Sequence, residues 1–169
     1  MKFSYSFTIT PPPAPPKKSP EKLIEYSYSE FLLDLPEHWE QMGTSEDASL
    51  TWQSDVDGAA ITVSCDFYEV PNEKFSKLAE VCLHARHEAM EVQAPGQVTV
   101  LSRSVKPYSG GGGLEMSYSA QIPGSTYLYL GYVTLRKVFN FALTYGPDKF
   151  AAANLYNLIM KERLRVKIP

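Results

Sequence analysis

Cysteine and histidine are scarce in this chain, and long apolar runs are missing. The 169 residues include two cysteines, Cys65 and Cys82, and three histidines. Two cysteines are too few for a disulfide framework, so both are expected to stay reduced as small core residues. No stretch approaches the roughly twenty apolar residues of a membrane-spanning helix, and the opening MKFSYSFTIT lacks the continuous apolar core of a signal peptide. A cytoplasmic chain with no membrane insertion is expected. Positive charge is not in excess either. The net charge of -3 argues against a nucleic-acid partner, because neutralising phosphates takes clustered Lys and Arg.

Catalytic signatures are equally sparse. There is no GxSxG or CxxC. Gly110 to Gly113 lacks the GxxxxGK(S/T) order and leads into a strand, so it reads as a strand connection and not as a phosphate cradle. Asp55-Val56-Asp57-Gly58 begins like a calcium loop, but strand residues from Ala59 to Cys65 occupy the offsets where further acids belong. It reads as a hairpin turn. His84, His87, Glu88 and Glu91 fall within reach of one another on a helix, in an order that matches neither HExxH nor HxxEH. They read as a solvated face with i,i+4 pairs; a small enzyme using His84 and nearby carboxylates is the alternative. His38, beside Trp39, reads as a loop residue. No catalytic, cofactor-binding or metal-ligating residue is assigned.

What the chain does have is alternation. Leu114, Met116, Tyr118, Ala120 and Ile122 are in phase, with Glu115, Ser117, Ser119 and Gln121 between them. A period of two puts one set on each face of a strand, one buried and one wet. Pro123-Gly124-Ser125 makes a turn, and Tyr127 to Leu135 is apolar at nearly every position, as for a strand covered on both faces. Arg136-Lys137 is the expected next turn, followed by Phe139, Phe141, Leu143 and Tyr145 in phase. With a first strand over 97–105, these runs predict an antiparallel meander.

Upstream, Phe31, Leu33 and Leu35 are in phase before Pro36, and Leu50 and Trp52 start a strand that turns at Asp57-Gly58. Its return strand sets Ile61, Val63, Cys65 and Phe67 on one face. A helix is predicted over 72–92, capped by Asn72, with Leu78, Cys82, Ala85, Ala89 and Val92 as its stripe. A second opens at Gly146-Pro147-Asp148, with Pro147 at the favoured first position and Ala151, Leu155, Leu158 and Ile159 buried. The alternating Arg163 to Ile168 reads as a short last strand or a continuation of that helix. The fold class is therefore α+β: an antiparallel sheet of about six to seven strands, with a meander in its C-terminal half, flanked by two main helices. Apolar content of 44% and charge of 21% suit one globular domain over 21–169.

Residues 1–20 read as an arm. Phe3, Tyr5, Phe7 and Ile9 alternate with polar residues, and the run from Pro11 to Pro16 is a stiff spacer. Pro12, Pro15 and Lys17 also match the spacing of an SH3 ligand. Residues 1–10 could pair with a sheet edge of a second copy, making the chain a self-associating structural protein.

Charge and aromatics supply the remaining signal. Residues 21–57 hold ten acids and one base, Lys22, while 133–169 hold seven bases and two acids. This reads as two solvated faces or as a polarised surface that steers a charged protein partner. Eleven tyrosines and eight phenylalanines are many for this length. Tyr127, Tyr129 and Tyr132 span both faces of one strand, and tyrosine-rich surfaces suit protein interfaces. Trp39, Tyr127, Tyr129, Tyr132, Arg163, Arg165 and Lys167 are the candidate partner-binding residues.

The segment Phe31-Leu32-Leu33-Asp34-Leu35-Pro36-Glu37-His38-Trp39 resembles the opening strand, ending in Leu-Pro-x-x-Trp, of the superfamily that includes PsbP-like proteins, Ran-binding nuclear-import factors and DcrB-like proteins. The order of elements over 24–168 is similar as well. The resemblance implies an antiparallel sheet flanked by helices, and members that bind proteins without catalysis. Some bacterial relatives are chaperones for secreted type VI effectors and carry Asp-Arg-x-x-Asn after the Trp. Here Trp39 is followed by Glu40-Gln41-Met42-Gly43-Thr44, and no functional residue is carried over. The expected function is a non-catalytic protein-binding module: an accessory, adaptor, chaperone or immunity protein of a bacterial secretion or toxin system, with a secreted effector or toxin as partner.

Overall fold

The computed structural model describes residues 21–43, 49–108 and 112–167. The arm over 1–20, with its strand, its SH3-like spacing and the pairing expected of residues 1–10, lies outside them, as do Gly110 and Gly111. The described chain is an α+β fold of ten strands and two main helices: β1 (Leu23–Ser27), β2 (Phe31–Pro36), β3 (Glu40–Gln41), β4 (Leu50–Ser54), β5 (Ala59–Phe67), α1 (Phe75–Gln93), β6 (Thr99–Pro107), β7 (Gly113–Ile122), β8 (Ser125–Thr134), β9 (Lys137–Tyr145), α2 (Lys149–Leu158) and β10 (Leu164–Val166).

Seven strands form one antiparallel sheet in the order β3-β4-β5-β9-β8-β7-β6, and its second half is the expected meander. Alternation in β7 buries Met116, Tyr118 and Ala120. Ile122 pairs with Ser125 across a two-residue turn, where Gly124 has φ +81°, a backbone conformation that Gly adopts without penalty. The sequence pattern did not separate out a second sheet. β1, β2 and β10 form it, antiparallel, with β2 in the middle. It packs with α2 on one face of the large sheet, where Phe31, Leu33 and Leu35 meet Trp52, Phe139 and Phe141. The opposite face carries α1 over Met116, Tyr118, Tyr129 and Val138.

Several local expectations are corrected. The β8–β9 turn is Leu135-Arg136, one residue earlier than Arg136-Lys137. The Thr134 hydroxyl accepts from the Arg136 and Lys137 amides at 3.4 and 3.3 Å and so closes the hairpin through a side chain. Lys137 then belongs to β9, 4% exposed, with its ammonium on Glu30 and on the Lys167 carbonyl. Phe67 is 65% exposed, because β5 runs past the end of the core. The buried line of α1 is Phe75, Ala79, Leu83 and Met90, whereas Ala85, Ala89 and Val92 face solvent. Arg86 and His87 occupy the inner face between Leu83 and Met90, so counting only apolar residues rotated the stripe. Asn72 lies in a short 3-10 turn before α1 and makes no side-chain cap. In α2 it is Asp148 that caps, accepting from the Phe150 and Ala151 amides at 3.1 Å, so Pro147 stands just outside. Ala152 replaces Ala151 as the fully buried alanine. After α2 a single π-helical turn, Ile159–Arg163, leads into β10.

Candidate binding surfaces

The structure scatters the residues singled out from sequence. Trp39 is 3% exposed and Tyr129 1%, so neither side chain stands on the outer surface where a protein partner would dock. Tyr127 is half-buried on the α1 face, its ring 6.3 Å from Tyr118. Tyr132 is half-buried on the other face, edge-on to Tyr108 at 5.3 Å. Both aromatic faces of β8 are therefore covered by this chain's own elements. The basic end is also engaged internally. Arg165 bonds Asp34 at 2.9 Å, the Lys167 ammonium donates to the Tyr28 carbonyl at 3.1 Å, and Arg163 lies 4.0 Å from Glu21. Lys137–Glu30 and Arg165–Asp34 thus tie the basic C-terminal stretch to the acidic N-terminal one.

His84 and Glu88 form an exposed i,i+4 pair at 3.6 Å, and His87 a second with Glu91 at the same distance. His87 Nδ1 also lies 2.9 Å from the Tyr118 hydroxyl, which ties it to the sheet. Among the described residues no group of three or more His, Cys, Asp or Glu is gathered to hold a metal. Both cysteines are free and half-buried, and burial, with Glu30 adding to it, pushes the Cys65 thiol up to about 11.

Beneath α1 runs a polar network that the sequence pattern does not announce. The Arg86 guanidinium lies 4.6 Å from the Tyr129 ring centroid. The Tyr129 hydroxyl donates to Asn140 Oδ1, and Asn140 Nδ2 donates to Ser64 Oγ at 3.3 Å. Gly131 leaves the room this needs, since a Cβ there would strike the Tyr129 hydroxyl and the Met116 methyl. Burial raises the Tyr129 hydroxyl well above its ordinary range, with Arg86 opposing the shift.

Two features remain open. The first is an apolar surface at one end of the sheet. Residues 68–70 continue β5 along the β8–β9 turn, with the Tyr68 amide on the Arg136 carbonyl (3.1 Å) and the Val70 amide on the Leu135 carbonyl (2.8 Å). This leaves Tyr68 43% and Val81 55% exposed around a hollow of about 340 Å³ that Leu78, Lys74 and Lys77 also line, with Leu135, 50% exposed, outside it. Leu135 and Arg136 border an adjoining hollow that shares Glu69, Val70 and Pro71 with the first. The sequence carries no local signal for this surface, since Phe67 is in phase with Ile61, Val63 and Cys65. The second is a smaller cavity of about 220 Å³ that brings Trp39 and Arg163 together with His38 and Asp57. His38 Nε2 lies 2.7 Å from Asp57 Oδ2, a pairing across 19 residues that no local motif signals.

Among the described residues no helix is long and apolar enough to cross a membrane. No protein-family model matches the sequence. No curated protein matches it significantly. Among solved structures, the solution structure of cyanobacterial PsbP (CyanoP) from Synechocystis sp. PCC 6803 is similar over 94% of this chain and 100% of that one, with a TM-score of 0.57 at 13% identity. At that identity the likeness speaks to architecture alone. The architecture agrees with the element order read over 24–168. This chain has a PsbP-like fold.

Proposed function

We propose that the chain is a non-catalytic protein-binding module that receives an apolar segment of another protein on the Tyr68–Val81–Leu135 surface. The observation that carries this reading is the surface itself. Tyr68 and Val81, both more than 40% exposed, border one hollow and Leu135, 50% exposed, borders a neighbouring one, the two hollows sharing Glu69, Val70 and Pro71 in their walls. Large apolar side chains left exposed beside neighbouring hollows suit an interaction site. Lys74, Lys77 and Arg136 supply a polar rim, the usual frame of an interface centre. The finer reading is an accessory, adaptor, chaperone or immunity role in a bacterial secretion or toxin system, in the cytoplasm. It rests on the resemblance at Phe31 to Trp39.

Affinity purification of the tagged full-length protein from its own cells, beside the double variant Tyr68→Glu/Leu135→Glu, tests the reading. The wild type should retain a stoichiometric partner, identified by mass spectrometry, that the equally folded variant loses. Equal retention by both proteins, or no partner for either, overturns it.

A further inference from the structure

The cavity of about 220 Å³ lies between the end of β2, the 36–39 turn, the β4–β5 hairpin and the helix pair of α2 and its π-helical turn. Its lining is chiefly apolar: Leu35, Pro36, Trp39, Leu155, Leu158 and Ile159. Leu35, Trp39 and Ile159 are at most 3% exposed, so this part of the wall is held by the core. The polar groups differ in how well they are satisfied. Asp57 Oδ2 accepts from Ser54 Oγ at 3.1 Å and lies 2.7 Å from His38 Nε2. Arg163 is far less engaged. Its side chain is 13% exposed, and its ion-pair partner, Glu21, is 4.0 Å away on a side chain 62% exposed, beyond hydrogen-bond reach. An arginine whose side chain is mostly covered and whose nearest anion is beyond hydrogen-bond reach has donors free for a ligand carboxylate, which it would meet with matched two-pronged geometry. Arg163 also ends a π-helical turn, a local irregularity often found at functional sites.

We propose that this cavity binds a small amphiphilic carboxylate, its apolar body against Trp39, Leu155 and Ile159 and its carboxylate on Arg163. The volume is below the roughly 300 Å³ at which drug-sized sites begin, so the ligand is of the size of an arylacetate or a short fatty acid.

The probes are phenylacetate and octanoate, with phenethyl alcohol as the uncharged control, each titrated to on the order of 10 mM and followed by NMR. Phenylacetate or octanoate should give saturable shifts at the Trp39 indole and the Leu155 and Ile159 methyl groups. Arg163→Met keeps the length and apolar stem of the side chain, and should weaken carboxylate binding about ten-fold or more while leaving the alcohol unaffected. Arg163→Lys should recover part of the loss, which separates charge recognition from packing. Tyr68→Glu/Leu135→Glu, on the separate apolar surface, should bind phenylacetate as the wild type does. Absence of saturable shifts at the cavity overturns the proposal, as does equal carboxylate binding by Arg163→Met.

Discussion

The two faces of the large sheet are closed in opposite ways. Under α2 and the three-stranded sheet the interior is apolar, with Trp52, Phe139, Phe141, Leu33 and Ile61 all essentially inaccessible, and charge enters at its edges, in the buried Lys137 with Glu30, in Arg163 and in the more exposed Arg165–Asp34 pair. Under α1 the interior is mixed. Arg86 lies over Tyr129, whose hydroxyl reaches Asn140, and Asn140 in turn reaches Ser64. The first face draws its stability from area and packing, which tolerate modest changes of shape but not loss of volume. The second depends on a chain of hydrogen bonds, in which one missing partner strands another buried group.

Raising the pH should unsettle both faces at once. Tyr118, Tyr127 and Tyr129 on the α1 side, and Tyr132 and Tyr156 on the other, are all raised above the ordinary value of 10, chiefly by burial; Tyr132 is pushed up to about 12, with Glu115 adding to it. Above pH 10 the unfolded chain gives up tyrosine protons that the folded chain retains. Stability is therefore full below pH 10 and falls progressively toward pH 12. Denaturant midpoints across that range, with tyrosinate absorbance alongside, should show unfolding and ionisation together; a midpoint flat to pH 12 would contradict this.

Next in size is Phe139→Ala on the apolar face. The ring is 0% exposed and meets Phe31 at 5.8 Å and Tyr132 at 6.3 Å, so the loss should be about 3–5 kcal/mol by chemical denaturation. Tyr129→Phe keeps the volume and removes a hydroxyl, leaving Asn140 Oδ1 without its donor. It should cost about 1–3 kcal/mol, which sets the hydrogen-bonded face against the packed one by the same measurement. A near-zero cost would mean that the network under α1 is not stabilising. The smallest effect belongs to the rim: Arg165→Ala removes a pair whose cation is 61% exposed, and should cost no more than about 1 kcal/mol, less still at high salt.

The apolar face was the more legible one. In-phase runs at Phe31, Leu33 and Leu35 and at Phe139, Phe141 and Leu143 are buried as their alternation demands, because a strand with one apolar set has one way to hide it. The α1 face was less so. Arg86 and His87 sit where a hydrophobic count expects apolar residues, and only the tyrosines opposite, Tyr129 and Tyr118, make those positions acceptable. The two open hollows were legible in part. Trp39 and Arg163 were singled out separately and line one cavity, whereas Tyr68, Val81 and Leu135 attracted no notice, since exposure of a single apolar residue has no local signature.

The sequence by itself determined most strands of the large sheet, the meander and the α+β class, because alternation and turn residues act over a few neighbouring positions. Tertiary structure decided the rest: that β10 returns to pair with β2, that the basic C-terminal stretch is tied to the acidic N-terminal one, and which apolar side chains stay in the open. Those outcomes depend on contacts between residues more than a hundred positions apart, Lys137 with Glu30 and Arg165 with Asp34, which compact packing brings together and no local pattern encodes.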